Sequence, residues 1–186
     1  MKRARGSSAC GAALPDEGTG VPLSDADVEL FSRQIIIPGL GATGQARLMA
    51  SSVFVLGDDP ASTFARRYAR AAGLQIAKDP ASASCSVVGI ETRLTTEQRN
   101  RLERARSPIL WYRVDRDGLH AGVVHRVADL ASSFTPSTLV AAATEPTDEA
   151  PRRAMLAVAA CDAIASVIGL LLDWPGADDD HAVRLA

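Results

Sequence analysis

A glycine, two acidic residues and a proline connect a predicted strand to a predicted helix. Residues 53–57 form a short, β-rich apolar run that ends at Gly57, and a helical pattern begins at Pro60. In a doubly wound α/β fold this loop binds nucleotide phosphates, because glycines let backbone amides approach the anion. Here Asp58 and Asp59 would repel a phosphate, and Pro60 lacks a backbone donor. Either aspartate can instead cap the helix, with Pro60 in its first turn, and the pattern favours this self-capped helix.

Asp79 is a second candidate for nucleotide chemistry. It follows the predicted second strand, near the offset of about 20 residues at which an acidic residue binds the ribose hydroxyls of a dinucleotide. The Asp79-Pro80 pair is also an ordinary turn signal. Both interpretations stay open, and the turn is favoured.

Three cysteines are candidates for redox, metal or nucleophilic chemistry. Cys10, Cys85 and Cys161 are far apart and form no C-x-x-C pair, which argues against a disulfide framework and a structural zinc site. Cys85 falls in a predicted buried strand and Cys161 in a predicted core helix, where cysteine usually serves as a small apolar residue. We predict no metal site and a reducing, cytoplasmic location.

Composition and charge limit the partners of the chain. Its 186 residues carry a formal net charge of -2, which gives no long-range attraction for a polyanion, so we predict no nucleic-acid binding. Only 4% of the residues are aromatic, so we expect a core of small side chains on closely spaced helices.

One apolar segment must be considered as a membrane span. Residues 154–172 are about long enough to cross a bilayer. Asp162 lies at the centre, where a charge costs roughly 2.5–3.5 kcal/mol on insertion scales, and positive residues flank one end alone. We therefore predict a buried core helix and no membrane association.

The hydrophobic pattern alternates between strands and helices. Helices are predicted at residues 24–34, 44–50, 60–72, 95–106 and 151–172, and strands at 53–57, 74–77, 85–90, 108–114 and 119–127. Asp117-Gly118 predicts a hairpin turn, and residues 129–150 are predicted to be irregular. The alternation predicts an α/β fold with a mostly parallel sheet and flanking helices. We divide the chain into a disordered extension (1–22), a folded domain (23–172) and an acidic tail (173–186).

Residues 23–57 resemble the opening of the ThiF, MoeB and HesA proteins, which adenylate ubiquitin-like proteins. That opening contains Leu-Ser, a short helix, an aromatic residue, Ser-Arg-Gln-Ile, Gly-Gln, a leucine, a serine and the first Rossmann strand with its glycine. The matching residues are Leu23, Ser24, Phe31, Ser32, Arg33, Gln34, Ile35, Gly44, Gln45, Leu48, Ser52, Val53, Val55 and Gly57. Weaker resemblances follow at residues 85–90, 108–124 and 154–172. The resemblance implies a Rossmann-like domain that is truncated relative to the family.

Several residues that this family uses for ATP are replaced or missing. Gly57 alone is retained from the family's G-x-G-G-x-G loop. The segment that holds the triphosphate in the family is missing between residues 79 and 85. Glu91 is at best a displaced substitute for the magnesium aspartate, and residues 87–160 contain no cysteine at the place of the family's catalytic cysteine.

Arg33 is the candidate catalytic residue that the resemblance retains. In the family, this arginine reaches across a dimer interface to the partner's ATP phosphates, where it stabilises developing charge. Alternatively, the Ser-Arg-Gln-Ile segment only fixes the N-terminal helix to the fold.

Two functions follow from the resemblance and its departures. The losses favour a non-catalytic pseudoenzyme or partner subunit that needs no cofactor and binds protein. Its partners would be a second copy, a ThiF-like protein in a heterodimer, or a ubiquitin-like carrier protein. The alternative is a residual adenylyltransferase of such a carrier, completed in trans by a second chain, using ATP and Mg²⁺ with Gly57 and Asp79 at the nucleotide.

Overall fold

The computed structural model describes residues 22–89, 94–115, 118–132 and 149–174, and its elements follow the predicted alternation. The helices are α1 (Asp25–Leu30), α2 (Ser32–Ile35), α3 (Gly41–Ala50), α4 (Pro60–Ala71), α5 (Thr96–Leu102), α6 (Val127–Ser132) and α7 (Glu149–Leu171). The strands are β1 (Ser52–Leu56), β2 (Gln75–Ile76), β3 (Cys85–Gly89), β4 (Ile109–Asp115) and β5 (Gly118–Val124). A 3-10 turn at Pro80–Ser82 separates β2 from β3.

The five strands form one sheet in the order β2–β1–β3–β4–β5. The first three pairings in this order are parallel, and β5 is antiparallel to β4 with Gly118 opposite Asp115. A hairpin between these strands is therefore present, as predicted, with Gly118 as the first residue of β5, and the predicted turn residue Asp117 lies outside the described residues. The predicted α/β fold with a mostly parallel, Rossmann-like sheet is confirmed.

Each face of the sheet carries its own hydrophobic core. On one face, α4 and α7 pack together over the strands, and both helices contribute alanines to the same core cluster. The fully buried alanines are Ala61, Ala65 and Ala69 on α4 and Ala159 and Ala160 on α7. The opposite face is covered by α5 and α6, through Leu102 and Leu130. The expectation of small side chains between helices is therefore confirmed for α4 and α7.

The apolar helix α7 is long enough to raise the question of a membrane span. Its Arg153–Leu171 segment has a mean hydropathy of 2.2, and 44% of that window is buried. One side of α7 lies in the core against α4 and β4, including Leu156, Ile164 and Val167. This packing is what a core helix requires, and the absence of membrane association stays a prediction.

Several element boundaries differ from the prediction; among them, α3 begins at Gly41 instead of residue 44, and β5 ends at Val124 instead of residue 127. The first helix breaks into α1 and α2 at Phe31, whose backbone leaves the helical region (φ -102°, ψ 15°) while its ring enters the core. Helix α5 ends at Leu102 instead of residue 106, and residues 103–108 connect it to β4. Residues 127–132 form α6, because Val127 and Leu130, three residues apart, are both buried against β5. The rest of the predicted irregular stretch, residues 133–148, lies outside the described residues.

Candidate functional site

The chain order places a crevice at the carboxyl ends of β1 and β3. From β1 the chain passes through α4 to β2 on one side, and from β3 it passes through α5 to β4 on the other. Because α4 and α5 also lie on opposite faces of the sheet, the two connections diverge between β1 and β3. Ligands of open α/β sheets bind at such a point. The loop after β1 is therefore the candidate site.

Asp59 caps the N-terminus of α4, which that loop enters. Its Oδ1 accepts a hydrogen bond from the Ser62 amide at 2.8 Å, and its backbone is extended, as in an N-cap residue. The Ser62 Oγ lies 2.7 Å from Asp59 Oδ2 and 2.8 Å from the Leu56 carbonyl oxygen. Pro60 occupies the first helical turn, where a missing amide hydrogen does no harm. The predicted self-capped helix is confirmed, and Asp59 is the capping residue.

Gly57 is required by this cap. Its φ of +100° is unfavourable for any residue with a side chain. A Cβ at this position would lie 2.6 Å from Asp59 Oδ2 and 2.8 Å from Ser62 Oγ. The capping carboxylate therefore occupies the space beside the glycine backbone. The cap alone accounts for glycine at position 57, and no bound ligand is needed to explain it.

Arg66 extends the hydrogen bonding of β1 beyond the end of β2. The last backbone bond between these strands runs from the Ala77 amide to the Val53 carbonyl. Since carbonyls alternate along a strand, the Val55 and Gly57 carbonyls face the same side. The Arg66 Nη2 donates to Val55 at 3.1 Å and also to Gly57. The guanidinium thus takes the place of a longer β2.

Sequence reasoning did not identify this role of Arg66. Arginines at positions 66, 67 and 70 of a helix predict a solvated face, and this prediction holds for the exposed Arg67 and Arg70. Arg66 is instead 23% exposed at its side chain and lies 3.4 Å from Asp58 Oδ1, whose carboxylate is fully exposed. The signal that could have indicated it is the short predicted β2, which leaves carbonyls of the first strand without partners.

Asp79 lies in a turn and makes the contacts that a turn requires. Its Oδ1 accepts from the Ala81 amide at 2.9 Å, which caps the 3-10 turn. Its Oδ2 lies 3.3 Å from Nη1 of Arg104, with both side chains about half exposed. Its carboxylate is thus engaged by the turn and by Arg104, and a role on a ribose stays a prediction.

The N-terminal motif anchors the far end of α4. Gln34 donates from Nε2 to the Ala71 carbonyl at 2.8 Å, and the fully buried Gln45 donates to the Ala72 carbonyl at 3.1 Å. These carbonyls belong to the last turn of the helix, where no backbone donor of the helix is available. Two glutamines of the motif therefore have a structural role.

Arg33 lies on α2 with its side chain exposed to solvent. Within the described part of the chain its side chain makes no hydrogen bond or ion pair. The structure therefore separates Arg33 from its neighbour Gln34, which holds the fold together. A role of Arg33 in a second subunit stays a prediction.

The cysteines and acidic residues form no second site among the described residues. Burial raises the pKa of the Cys85 thiol to about 12, so this thiol stays protonated and is a poor nucleophile. Cys161 is exposed on α7, and both are free thiols. No group of three or more His, Cys, Asp or Glu side chains that could hold a metal occurs in the described ranges. Glu91 lies outside them.

Comparisons with known proteins find likeness in structure and none in sequence. No family model matches the chain, and no curated protein matches it. A heterocyclase in complex with substrate and cofactor has a TM-score of 0.52 at 14% identity, over 88% of this chain and 24% of that chain. MccB of E. coli with succinimide has a TM-score of 0.52 at 12% identity, over 77% and 64%. The selenomethionine form of PaaA has a TM-score of 0.56 at 15% identity, over 91% and 72%.

These matches establish the fold. The chain spans about a quarter of the heterocyclase (24%) and less than two thirds of MccB (64%). The three identities lie between 12% and 15%, so these matches carry the fold and no information on activity. The chain therefore shares its fold with these three proteins.

Proposed function

We propose that this chain is a non-catalytic ThiF-like domain, a pseudoenzyme that binds a protein partner and takes no nucleotide. The observation that carries the proposal is the Asp59 cap on α4. We place the protein in the reducing cytoplasm, in keeping with the free thiols of Cys85 and Cys161.

The cap disfavours phosphate binding electrostatically. A helix N-terminus carries about half a positive charge, and here a carboxylate already neutralises it. Two unit charges 4 Å apart repel by about 4 kcal/mol at an effective dielectric constant of 20. Arg66 is not free for a phosphate, because its guanidinium donates to the Val55 and Gly57 carbonyls and pairs with Asp58. A triphosphate would therefore meet the carboxylates of Asp58 and Asp59, and Arg66, the cation that lies beside them in the described part of the chain, is already engaged.

The partner surface that we propose is the α1–α2 face, defined by Val28, Leu30, Arg33, Ile36 and Ile37. Its four apolar side chains lie within ten residues of sequence and are all exposed: Val28 by 45%, Leu30 by 73%, Ile36 by 79% and Ile37 by 44%. Contiguous exposed apolar patches mark interaction sites, and we infer that side chains of this segment form one. Gln34 joins α2 to the end of α4 through the Ala71 carbonyl, so this face is attached to the core helices. A second copy, a ThiF-like protein or a ubiquitin-like carrier protein is the partner that we propose.

The alternative function is a residual ATP-dependent adenylyltransferase of a ubiquitin-like carrier, completed in trans. The exposed Arg33, without a partner among the described residues, favours it. In that case Arg33 would act on a nucleotide held by a second chain.

We expect ATP with Mg²⁺ to leave the melting temperature of the protein unchanged. A ligand at 100 times its dissociation constant stabilises by about 2.7 kcal/mol, which is several degrees for a domain of this size. Differential scanning fluorimetry with and without ATP–Mg²⁺ measures this. A rise of several degrees would instead support the adenylyltransferase, and ATP–pyrophosphate exchange with candidate carriers would then test its chemistry.

A matched variant shows whether the carboxylates cause the exclusion. Asp58→Gly/Asp59→Ser removes both charges, while serine still caps the helix. We expect this variant to gain a measurable response to inorganic phosphate that the wild type lacks. A response equal in both proteins would refute the electrostatic argument.

Association through the α1–α2 face is expected to weaken when its apolar centre is made polar. Sedimentation equilibrium over a concentration series should give a mass that rises towards two chains. Ile36→Ser should raise the dissociation constant by about tenfold, which corresponds to about 1.4 kcal/mol. The matched control is Val158→Ser, since Val158 is an exposed apolar residue (49%) on α7. A mass of one chain at every concentration would exclude the homodimer, and equal effects of the two variants would exclude this face.

A further inference from the structure

The chain returns to the α1–α2 face where α7 ends. The Arg47 Nη2 donates to the Leu171 carbonyl at 2.9 Å and to Asp173 Oδ2 at 3.2 Å. Asp173 has a φ of +54°, which turns the chain, and the Trp174 Nε1 donates to the Gly39 carbonyl at 3.4 Å. Trp174 thus contacts Gly39, which lies two residues after Ile37, and residues 175–186 follow Trp174 in the sequence.

The acidic part of this segment is within reach of Arg33. Successive turns join Gln34 to Ile37 and Ile37 to Leu40 through backbone bonds of 3.0 and 3.1 Å. Each turn spans less than about 7 Å, so α2 and Gly39 lie within about 14 Å of each other. Asp178 to Asp180 follow Trp174 by four to six residues, which can extend to about 14–20 Å.

The chemistry of the segment complements the surface beside it. Asp178, Asp179 and Asp180 offer three carboxylates to the exposed Arg33, and Val183 and Leu185 offer apolar side chains to Ile36 and Ile37. The acidic first turn of α1, with Asp25 and Asp27, would repel the same carboxylates. Charge therefore directs the segment to the α2 end of the face.

We propose that residues 175–186 bind the α2 end of the α1–α2 face, with the three aspartates at Arg33 and the apolar pair on Ile36 and Ile37. The segment then competes with a protein partner for the same surface and acts as a built-in inhibitor of association. This regulation deepens the proposed function, but the docking itself occurs within one chain and is measured without any partner.

Paramagnetic relaxation in the full chain tests the docking. A nitroxide is attached at Ala186→Cys in a Cys10→Ser/Cys161→Ser background. Cys85 is retained, because its burial and raised pKa of about 12 protect it from labelling. In dilute solution the amide signals of Arg33, Ile36 and Ile37 should lose most of their intensity. The amide of Glu97, on α5 at the opposite face of the sheet, should keep its intensity.

Two perturbations should release the segment. Asp178→Asn/Asp179→Asn/Asp180→Asn removes its charge, and 1 M salt shortens the Debye length to about 3 Å; both should restore the lost signals. The charge-neutral variant should also associate more tightly in sedimentation equilibrium.

Three results would overturn the proposal. They are full intensity at the α2 amides in dilute solution, signal loss that the triple variant leaves unchanged, and signal loss confined to mixtures of labelled and isotope-enriched chains. The last result would mean that a second copy supplies the segment. If the nitroxide has no effect on the α2 amides, the comparison of Ile36→Ser with Val158→Ser still tests the partner face. Failure of the docking and failure of the partner face are therefore distinguishable.

Discussion

Replacing Gly57 by alanine is expected to lower the free energy of unfolding by about 2–4 kcal/mol, the sum of a strained backbone and a damaged helix cap. The backbone contribution arises because the φ of this residue is +100°. The cap contribution arises because the new Cβ would lie 2.6 Å from Asp59 Oδ2 and 2.8 Å from Ser62 Oγ, so the capping pair must move. Urea denaturation followed by circular dichroism measures the change.

Gly41 provides the matched control for this experiment. It also has a positive φ, +61°, but a Cβ there would have no atom within 4 Å. Gly41→Ala should therefore show the backbone cost alone, about 1–2 kcal/mol. In addition, Asp59→Ala removes the nearest obstructing atom, so the double variant Gly57→Ala/Asp59→Ala should lose less stability than the sum of its parts. Equal losses for Gly57→Ala and Gly41→Ala, with full additivity, would mean that the cap does not crowd Gly57.

The cap could be predicted from sequence because it is a local interaction. An N-cap residue and the amide three positions later are fixed relative to each other once the helix starts. Asp59 and Pro60 therefore indicated the structure of the loop before any contact between distant elements was known. The strand β1 and helix α4 were equally accessible, because their hydrophobic periods are contained in the sequence between residues 52 and 71.

The remaining features depend on where distant elements stop. The role of Arg66 depends on the length of β2, which ends at Ile76 ahead of the turn at Asp79. Gln45 donates to a carbonyl 27 residues away in the sequence, and no periodicity indicates which helix end it meets. The break at Phe31 likewise results from burial of one ring against the fold, while the neighbouring Leu30 stays 73% exposed. Tertiary context decided each of these features.

Arg66→Met is the second substitution expected to have a large effect, a loss of about 2–3 kcal/mol in the free energy of unfolding. Methionine keeps the aliphatic packing and the helix propensity of arginine. It removes the donor to the Val55 and Gly57 carbonyls at the end of β1. An acceptor left without a partner in a partly buried position costs about 1–3 kcal/mol. The same urea titration measures the loss.

Arg67→Met on the same helix separates this hydrogen bonding from the general effect of removing a positive charge. Arg67 is exposed, so its replacement should change the stability by no more than about 0.5 kcal/mol. Arg66→Lys should fall between the two, because one ammonium group can reach a carbonyl but cannot reproduce the planar fork of the guanidinium. If Arg66→Met and Arg67→Met prove equally mild, water must satisfy the β1 carbonyls as well as the guanidinium does. All three arginines of α4 would then form the solvated face that the sequence indicated, and Arg66 would be free to meet a phosphate.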